Sequence, residues 1–289
     1  MPVIEAHGLR KAFKSTVALE GIDLKVEEGR ILGLIGPNGA GKTTALNAIL
    51  GLVPYEGELK VLGRNPWAER DQLMRDVCFI ADVAVLPRWM KVWQSLDYLA
   101  GVHPRFDRAK AEAFLAKTSI KRTSRVRELS KGMVAQLHLA LVMAIDARLL
   151  VLDEPTLGLD LLYRKSFYDS LLNDYFDHTR TIVVTTHQVE EIEHILTDVV
   201  FISQGRIVLN DSMEDLEQRY LQVIVGPEGL EAARALKPIQ ERQVLGRGIL
   251  LFDGVARDRL AAIGEVRAPS LADLFIALIG GQAAQGAAA

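Results

Sequence analysis

Apolar and polar positions change period several times along the chain. Alternation at period two over residues 3–13 and 17–29 predicts two amphipathic strands, and the apolar run ILGLIG after them predicts a strand buried on both faces. A helix is expected from Lys42 to near Gly51, short strands over 56–63 and 77–82, and helices over 89–102 and 107–117, the second capped by Asp107. Residues 131–145 have the apolar density of a buried helix, and RLLVLD (148–153) reads as a buried strand ending in acid. A helix over 161–176, the strand TIVVTTH (181–187), a helix over 188–196 and a hairpin over 199–210 complete this pattern. Strands alternating with helices imply a largely parallel sheet covered on both faces.

Near Tyr220 the pattern restarts as strand, helix, two strands and two more helices, the last being SLADLFIALIG (270–280). The expected organisation is a large α/β domain over residues 1–220 with a helical subdomain at about 88–146. A small α+β domain over 221–280 follows, then a disordered tail over 281–289 with too little to bury.

Composition changes this picture little. The 289 residues are 49% hydrophobic and 25% charged with a net charge of −3, so no overall basic surface points to nucleic acid, and no nucleic-acid partner is expected. Cys78 is the only cysteine and no intrachain disulfide can form, which suits a reducing cytoplasm; in VCFI it reads as a small buried hydrophobe. No secretory signal and no apolar run of about 20 residues is visible, so a spanning segment, if one is needed, comes from another chain.

The chemistry concentrates in three places. GPNGAGKTT (36–44) fits the phosphate-loop pattern between a buried strand and a helix. Gly36, Gly39 and Gly41 let the backbone wrap closely, N–H groups from Asn38 through Ala40 to Lys42 face a phosphate, and Lys42 neutralises β- and γ-phosphate charge. Thr43 offers its hydroxyl to Mg²⁺ and Thr44 adds a phosphate hydrogen bond. At the end of the strand LLVLD, Asp153 suits a hold on Mg²⁺ through water and Glu154 can take a proton from an attacking water. An isolated Asp-Glu pair reads as a helix cap, but His187, at the end of the next strand, adds a group able to bond a γ-phosphate or to position Glu154. In LSKGMVAQ, Ser130 is either an ordinary helix cap or half of a site completed by a second molecule.

With these motifs in this order over roughly residues 3–220, the chain resembles the ATP-binding cassette ATPases, the nucleotide-binding subunits of ABC transporters. The resemblance implies the P-loop NTPase cassette fold: a mostly parallel sheet core, an antiparallel β subdomain and a helical subdomain, here with a C-terminal α+β addition. It implies ATP and Mg²⁺ as ligands, a head-to-tail dimer with a second copy, a separate transmembrane permease as partner, and a peripheral place at the cytoplasmic face of the membrane. LSKGM is similar to the family signature LSGGQ and retains Ser130 and Gly132, which would face the γ-phosphate bound to the partner copy's Lys42. GLD, ending in Asp160, matches the loop that crosses the dimer interface. Phe13 aligns with the aromatic that stacks on adenine, with plain core packing as the other reading.

The chain departs from the family at Asp82, where glutamine is usual; a carboxylate there keeps a metal or sensing role, or is a solvent-facing loop acid. Lys131 and Met133 replace a glycine and the glutamine of the signature, as in single-domain ATPases that pair with ABC-2-type export permeases. The leading function is therefore ATP hydrolysis that powers a permease, an exporter. The alternatives are a soluble cassette protein and an ATP-driven dimerisation switch with weak hydrolysis and no transport role. The aromatic run 83–99 is either a permease-docking surface or core, and the appendage either regulates the dimer, binds a partner or lengthens the dimer contact.

Overall fold

The computed structural model describes residues 2–80, 86–157, 159 and 161–286. It divides into two compact units, Met1–Leu196 with Ile202–Ile207, and Thr197–Phe201 with Val208–Ala289.

In the first unit, β1 (Pro2–Phe13) and β2 (Thr16–Glu27) form an antiparallel ribbon. β3 (Ile31–Ile35) runs into α1 (Lys42–Ile49), and β4 (Glu56–Val61) returns to pair with β1, giving a three-stranded sheet ordered β2-β1-β4. A short helix, α2 (Arg70–Leu73), leads to β5 (Val77–Ile80). Cys78 lies buried on β5, as its apolar setting predicts, and burial pushes its thiol up to about 12.

The helical region comprises α3 (Val92–Val102), α4 (Arg108–Ala116) and α5 (Lys131–Met143). Val92, Leu96, Ala111, Leu115, Leu137 and Leu141 form its core. Asp107 caps α4 as expected, accepting the Lys110 N–H at 3.1 Å. The aromatic run, whose residues 83–85 lie outside the described residues, is core only in part. Met90, Val92 and Leu96 are core, whereas Trp89 and Tyr98 are exposed by 65% and 60%.

β6 (Leu149–Asp153) precedes α6 (Leu161–Ser170), and β7 (Thr181–Thr186) follows. With β8 (Asp198–Ser203) and β9 (Arg206–Ser212) these strands complete a six-stranded sheet ordered β5-β6-β7-β3-β8-β9. β5 with β6, β6 with β7 and β7 with β3 pair in parallel, and β3, β6 and β7 are buried along their whole length, the condition the apolar runs of β3 and β6 anticipate. Because β7 lies between β6 and β3 in parallel, the carboxyl ends of all three fall on one edge.

Three expectations need correction. The helix over 161–176 gives way at Leu171–Tyr175 to a π turn, where the Asn173 amide donates to the Asp169 carbonyl and competes with the regular ladder. The helix over 188–196 is instead two 3₁₀ turns, Val189–Glu191 and Glu193–Ile195. Nine residues with crowded acids and β-branched side chains are too few to nucleate an α-helix against such costs. The tail expected to be disordered from 281 carries helical backbone to Gly286, since the alanine-rich segment extends a helix already nucleated by packing.

The second unit holds α7 (Met213–Arg219), then β10 (Tyr220–Val225), α8 (Leu230–Arg234), β11 (Gln240–Val244), β12 (Arg247–Asp253), α9 (Arg257–Ala261) and β13 (Glu265–Arg267). This is a βαββαβ chain order with an antiparallel sheet ordered β11-β12-β10-β13. Leu221, Val223, Leu250, Phe252 and Leu260 build its core. α10 (Leu271–Gly286) is tied to the sheet by Asp273, 3.0 Å from Arg242 of β11, and its Phe275 packs edge-on against Phe201.

Candidate functional site

The loop between β3 and α1 wraps a cleft of about 250 Å³ lined by Ala18, residues 37–44, Asp153 and Glu154. Gly41, the residue before α1, takes φ +111°, and a Cβ there would meet the Ala18 carbonyl at 2.6 Å, so glycine is required twice over. Among the described residues no side chain caps α1, which leaves its first-turn N–H groups open to an anion. Gly36 and Lys42 are buried, and the Lys42 ammonium donates to the Gly36 carbonyl at 2.7 Å and the Pro37 carbonyl at 3.3 Å. Burial draws the Lys42 pKa below the ordinary lysine value, while Glu154 and Asp153 pull against that shift.

The two acids at the end of β6 have different partners. The Asp153 carboxylate accepts from Thr43 Oγ1 at 3.1 Å and from Thr185 Oγ1 at 2.6 Å. The Glu154 carboxylate stands 3.9 Å from Lys42 Nζ and 2.9 Å from His187 Nδ1. Glu154 has φ +48°, a left-handed backbone rare for a side-chain-bearing residue, held by its N–H donating to the carbonyl and hydroxyl oxygens of Thr185. The Glu154 carboxylate, 14% exposed, thus lies between a buried ammonium and an imidazole that is 41% exposed.

Thr43 and Asp153 put two hard oxygen donors side by side at the mouth of the cleft, the donor type a small divalent cation prefers. Among the described residues no group of three His, Cys, Asp or Glu could hold a metal by itself. A cation held here would take its remaining ligands from phosphate oxygens and water, as Mg²⁺ does.

Asn38, Gly39, Ala40, Gly41, Lys42, Thr43, Thr44, Asp153 and Glu154 share this cleft, and His187 joins it through Glu154. Phe13 is not in the lining; at the end of β1 it is 46% exposed with Lys11 Nζ 4.9 Å from its ring centre, which removes the reading of Phe13 as core. Ser130 and Gly132 stand elsewhere, at the N-terminus of α5. Ser130 Oγ accepts the Met133 N–H at 3.2 Å, a true cap, and a Cβ on Gly132 would meet the Tyr163 ring at 2.5 Å. Asp82 and Asp160 lie outside the described residues.

Thr185 escaped the motif reading, although it orients Asp153 and holds Glu154. The signal was one of the threonines that close a fully buried strand, and only the register sets it opposite Asp153. Ala18 of β2 was missed as well, because nothing local marks an alanine whose use is to let a cleft form beside it.

Residues 19–157 match the family model described as ABC transporter. The Nod factor export ATP-binding protein I of Cupriavidus metallidurans is 31% identical over 305 residues, covering 96% of this chain and 97% of the relative. The daunorubicin resistance ATP-binding protein DrrA3 of Streptomyces coeruleorubidus is 29% identical over 303 residues, covering 96% of each. Among solved structures, one titled as the ATP binding subunit of an ABC transporter superposes with a TM-score of 0.67 at 23% identity, covering 74% of this chain and 92% of that one.

Proposed function

Because the chain belongs to the ATP-binding proteins of ABC transporters, we propose that two copies bind head to tail around two Mg-ATP and drive a separate export permease. The chain is an ATP-binding ATPase subunit that energises an ABC transporter, and such subunits work with membrane permeases. No helix of its described residues is long and apolar enough to cross a membrane. Export is favoured by relatives named for Nod factor export and daunorubicin resistance. The cassette is assigned to residues 1–220 and the appended domain to 221–280, with attachment at the cytoplasmic face of the membrane.

The observation that carries hydrolysis rather than mere binding is the contact chain Lys42–Glu154–His187. The open first turn of α1 and Lys42 hold the phosphates; Glu154 takes the proton of the attacking water; His187 orients Glu154 and bonds the transferred phosphoryl group. Thr43 and Asp153 would hold Mg²⁺, which when bound neutralises phosphate charge. Ser130 and the N-terminus of α5 supply the other half of the site to the partner copy. Exposed Trp89 and Tyr98, with half-exposed Trp93, offer the permease an aromatic docking surface.

Mg-ATP turnover by the wild type beside Glu154→Gln, with the oligomeric state followed in ATP, tests this reading. Loss of turnover by roughly 10²- to 10⁴-fold together with an ATP-dependent dimer is expected. Equal turnover in both proteins would remove Glu154 from the reaction.

A further inference from the structure

Among the described residues, three two-residue turns share one backbone signature. Leu62–Gly63, Gln204–Gly205 and Leu245–Gly246 each have positive φ at both positions, +52° and +78°, +49° and +75°, +49° and +78°, as hairpins of the primed type require. Gly63 and Gly246 are exposed tips, and a Cβ on either would have no described atom within 4 Å. Gly205 has the same dihedrals but is buried.

What buries it is the backbone of the phosphate loop and of β2. The Gly205 N–H donates to the Ala40 carbonyl of the phosphate loop at 2.9 Å, and the Gly205 carbonyl accepts the Glu20 N–H of β2 at 2.9 Å. The Arg206 guanidinium adds a side-chain tie to Glu20. A Cβ on Gly205 would lie 2.8 Å from the Ala18 carbonyl, and one on Gly41 would lie 2.6 Å from that same oxygen. Two backbone segments therefore approach Ala18 with no side chain between, and Ala18 itself lines the cleft.

The peptide plane gives this contact a direction. Ala40 C=O and Gly41 N–H belong to one trans peptide, so they point to opposite sides. A carbonyl held outward by Gly205 fixes the Gly41 N–H on the inward side, ready for an anion and needing no reorientation when it arrives. We propose that the β8–β9 turn is a positioning splint for nucleotide binding, in which Gly205 sets the orientation of the Gly41 N–H and the spacing between Ala18 and the phosphate loop. The inference rests on ATP occupying the cleft of residues 37–44.

The test is MgADP binding by calorimetry and ATP kinetics on the full-length protein, comparing Gly205→Ala and Gly205→Asn with Gly63→Ala. Gly63→Ala imposes the same backbone strain at an open tip, and asparagine tolerates positive φ but still brings a Cβ to the Ala18 carbonyl. Both Gly205 variants should weaken MgADP and raise the KM for ATP about tenfold, the worth of one hydrogen bond, with kcat at saturation within about twofold of Gly63→Ala. Gly205 variants that bind MgADP as Gly63→Ala does overturn the proposal, as would an equal loss in kcat and kcat/KM with KM unmoved. Lys42→Ala separates the premise: unchanged MgADP binding there refutes the cleft itself, whereas lost binding in Lys42→Ala beside intact binding in Gly205→Ala refutes only the splint. If Gly205→Ala does not fold, Glu20→Gln combined with Arg206→Gln carries the test, with about threefold weaker MgADP expected for a lost exposed ion pair. Wild-type affinity in that double variant would then overturn the proposal.

Discussion

The N-termini of α1 and α5 are finished in opposite ways. At α1 a glycine precedes the helix, no described side chain caps it, and Lys42 with Asp153 and Glu154 surrounds the opening. At α5 the opening is closed by the helix's own Ser130, whose oxygen accepts the Met133 N–H. That bond uses the serine as acceptor and leaves its hydroxyl proton able to donate, so the cap and a phosphate contact are compatible uses of one atom. The difference teaches where each site's partners come from. α1 is completed by neighbouring strands of the same fold, while α5 is satisfied alone and, in the proposed arrangement, meets its phosphate on another copy.

That contrast breaks most easily at α1. Lys42→Ala removes a buried cation that contacts loop carbonyls and Glu154; nucleotide binding should weaken by about 10²-fold, the worth of a charge-assisted bond, with thermal stability near wild type, since the ammonium is already desolvated. Calorimetry with MgADP and a melting curve check both halves.

A second effect is confined to α5. His138 on that helix is half-buried, its Nε2 atom is shielded from solvent with no hydrogen-bond partner among the described residues, and desolvation lowers its pKa from 6.5 to about 4. The unfolded chain takes the proton first as pH falls. The stability present above pH 6.5 should therefore be lost as pH descends toward 4, by roughly 2 kcal/mol between pH 6.5 and 5. Urea denaturation of wild type against His138→Leu should show this slope only in the wild type.

The smallest effect sharpens the comparison best. Ser130→Ala should cost about 1 kcal/mol of stability as a lost cap and, separately, about tenfold in turnover with little change in MgADP binding to the monomer. A loss of stability with full turnover would make Ser130 a cap and nothing more.

Much of this was legible in the chain. The phosphate loop, the acids at the end of β6 and His187 announce themselves because each follows a short run of strand-forming residues, and runs of that kind become parallel strands whose ends share an edge. The sheet order that places β7 between β6 and β3 is a tertiary choice, and Thr185 gained its meaning only from that pairing. The short elements were least visible: α2, β13 and the 3₁₀ turns after His187 are three or four residues long and carry no period to read. Gly205 shows the same limit, since its sequence is that of any tight hairpin and its burial depends on a loop some 165 residues away.

The central claim is that one copy's Lys42 works with another copy's Ser130. The most direct test mixes two inactive proteins, Lys42→Ala and Ser130→Glu, the latter placing a negative charge where the γ-phosphate is expected while still suiting a helix N-terminus. In a head-to-tail dimer of one copy of each, one of the two sites keeps both Lys42 and Ser130 intact, so Mg-ATP hydrolysis should reappear in the mixture. A mixture no more active than the sum of its parents would contradict the shared site and return Ser130 to the role of a helix cap.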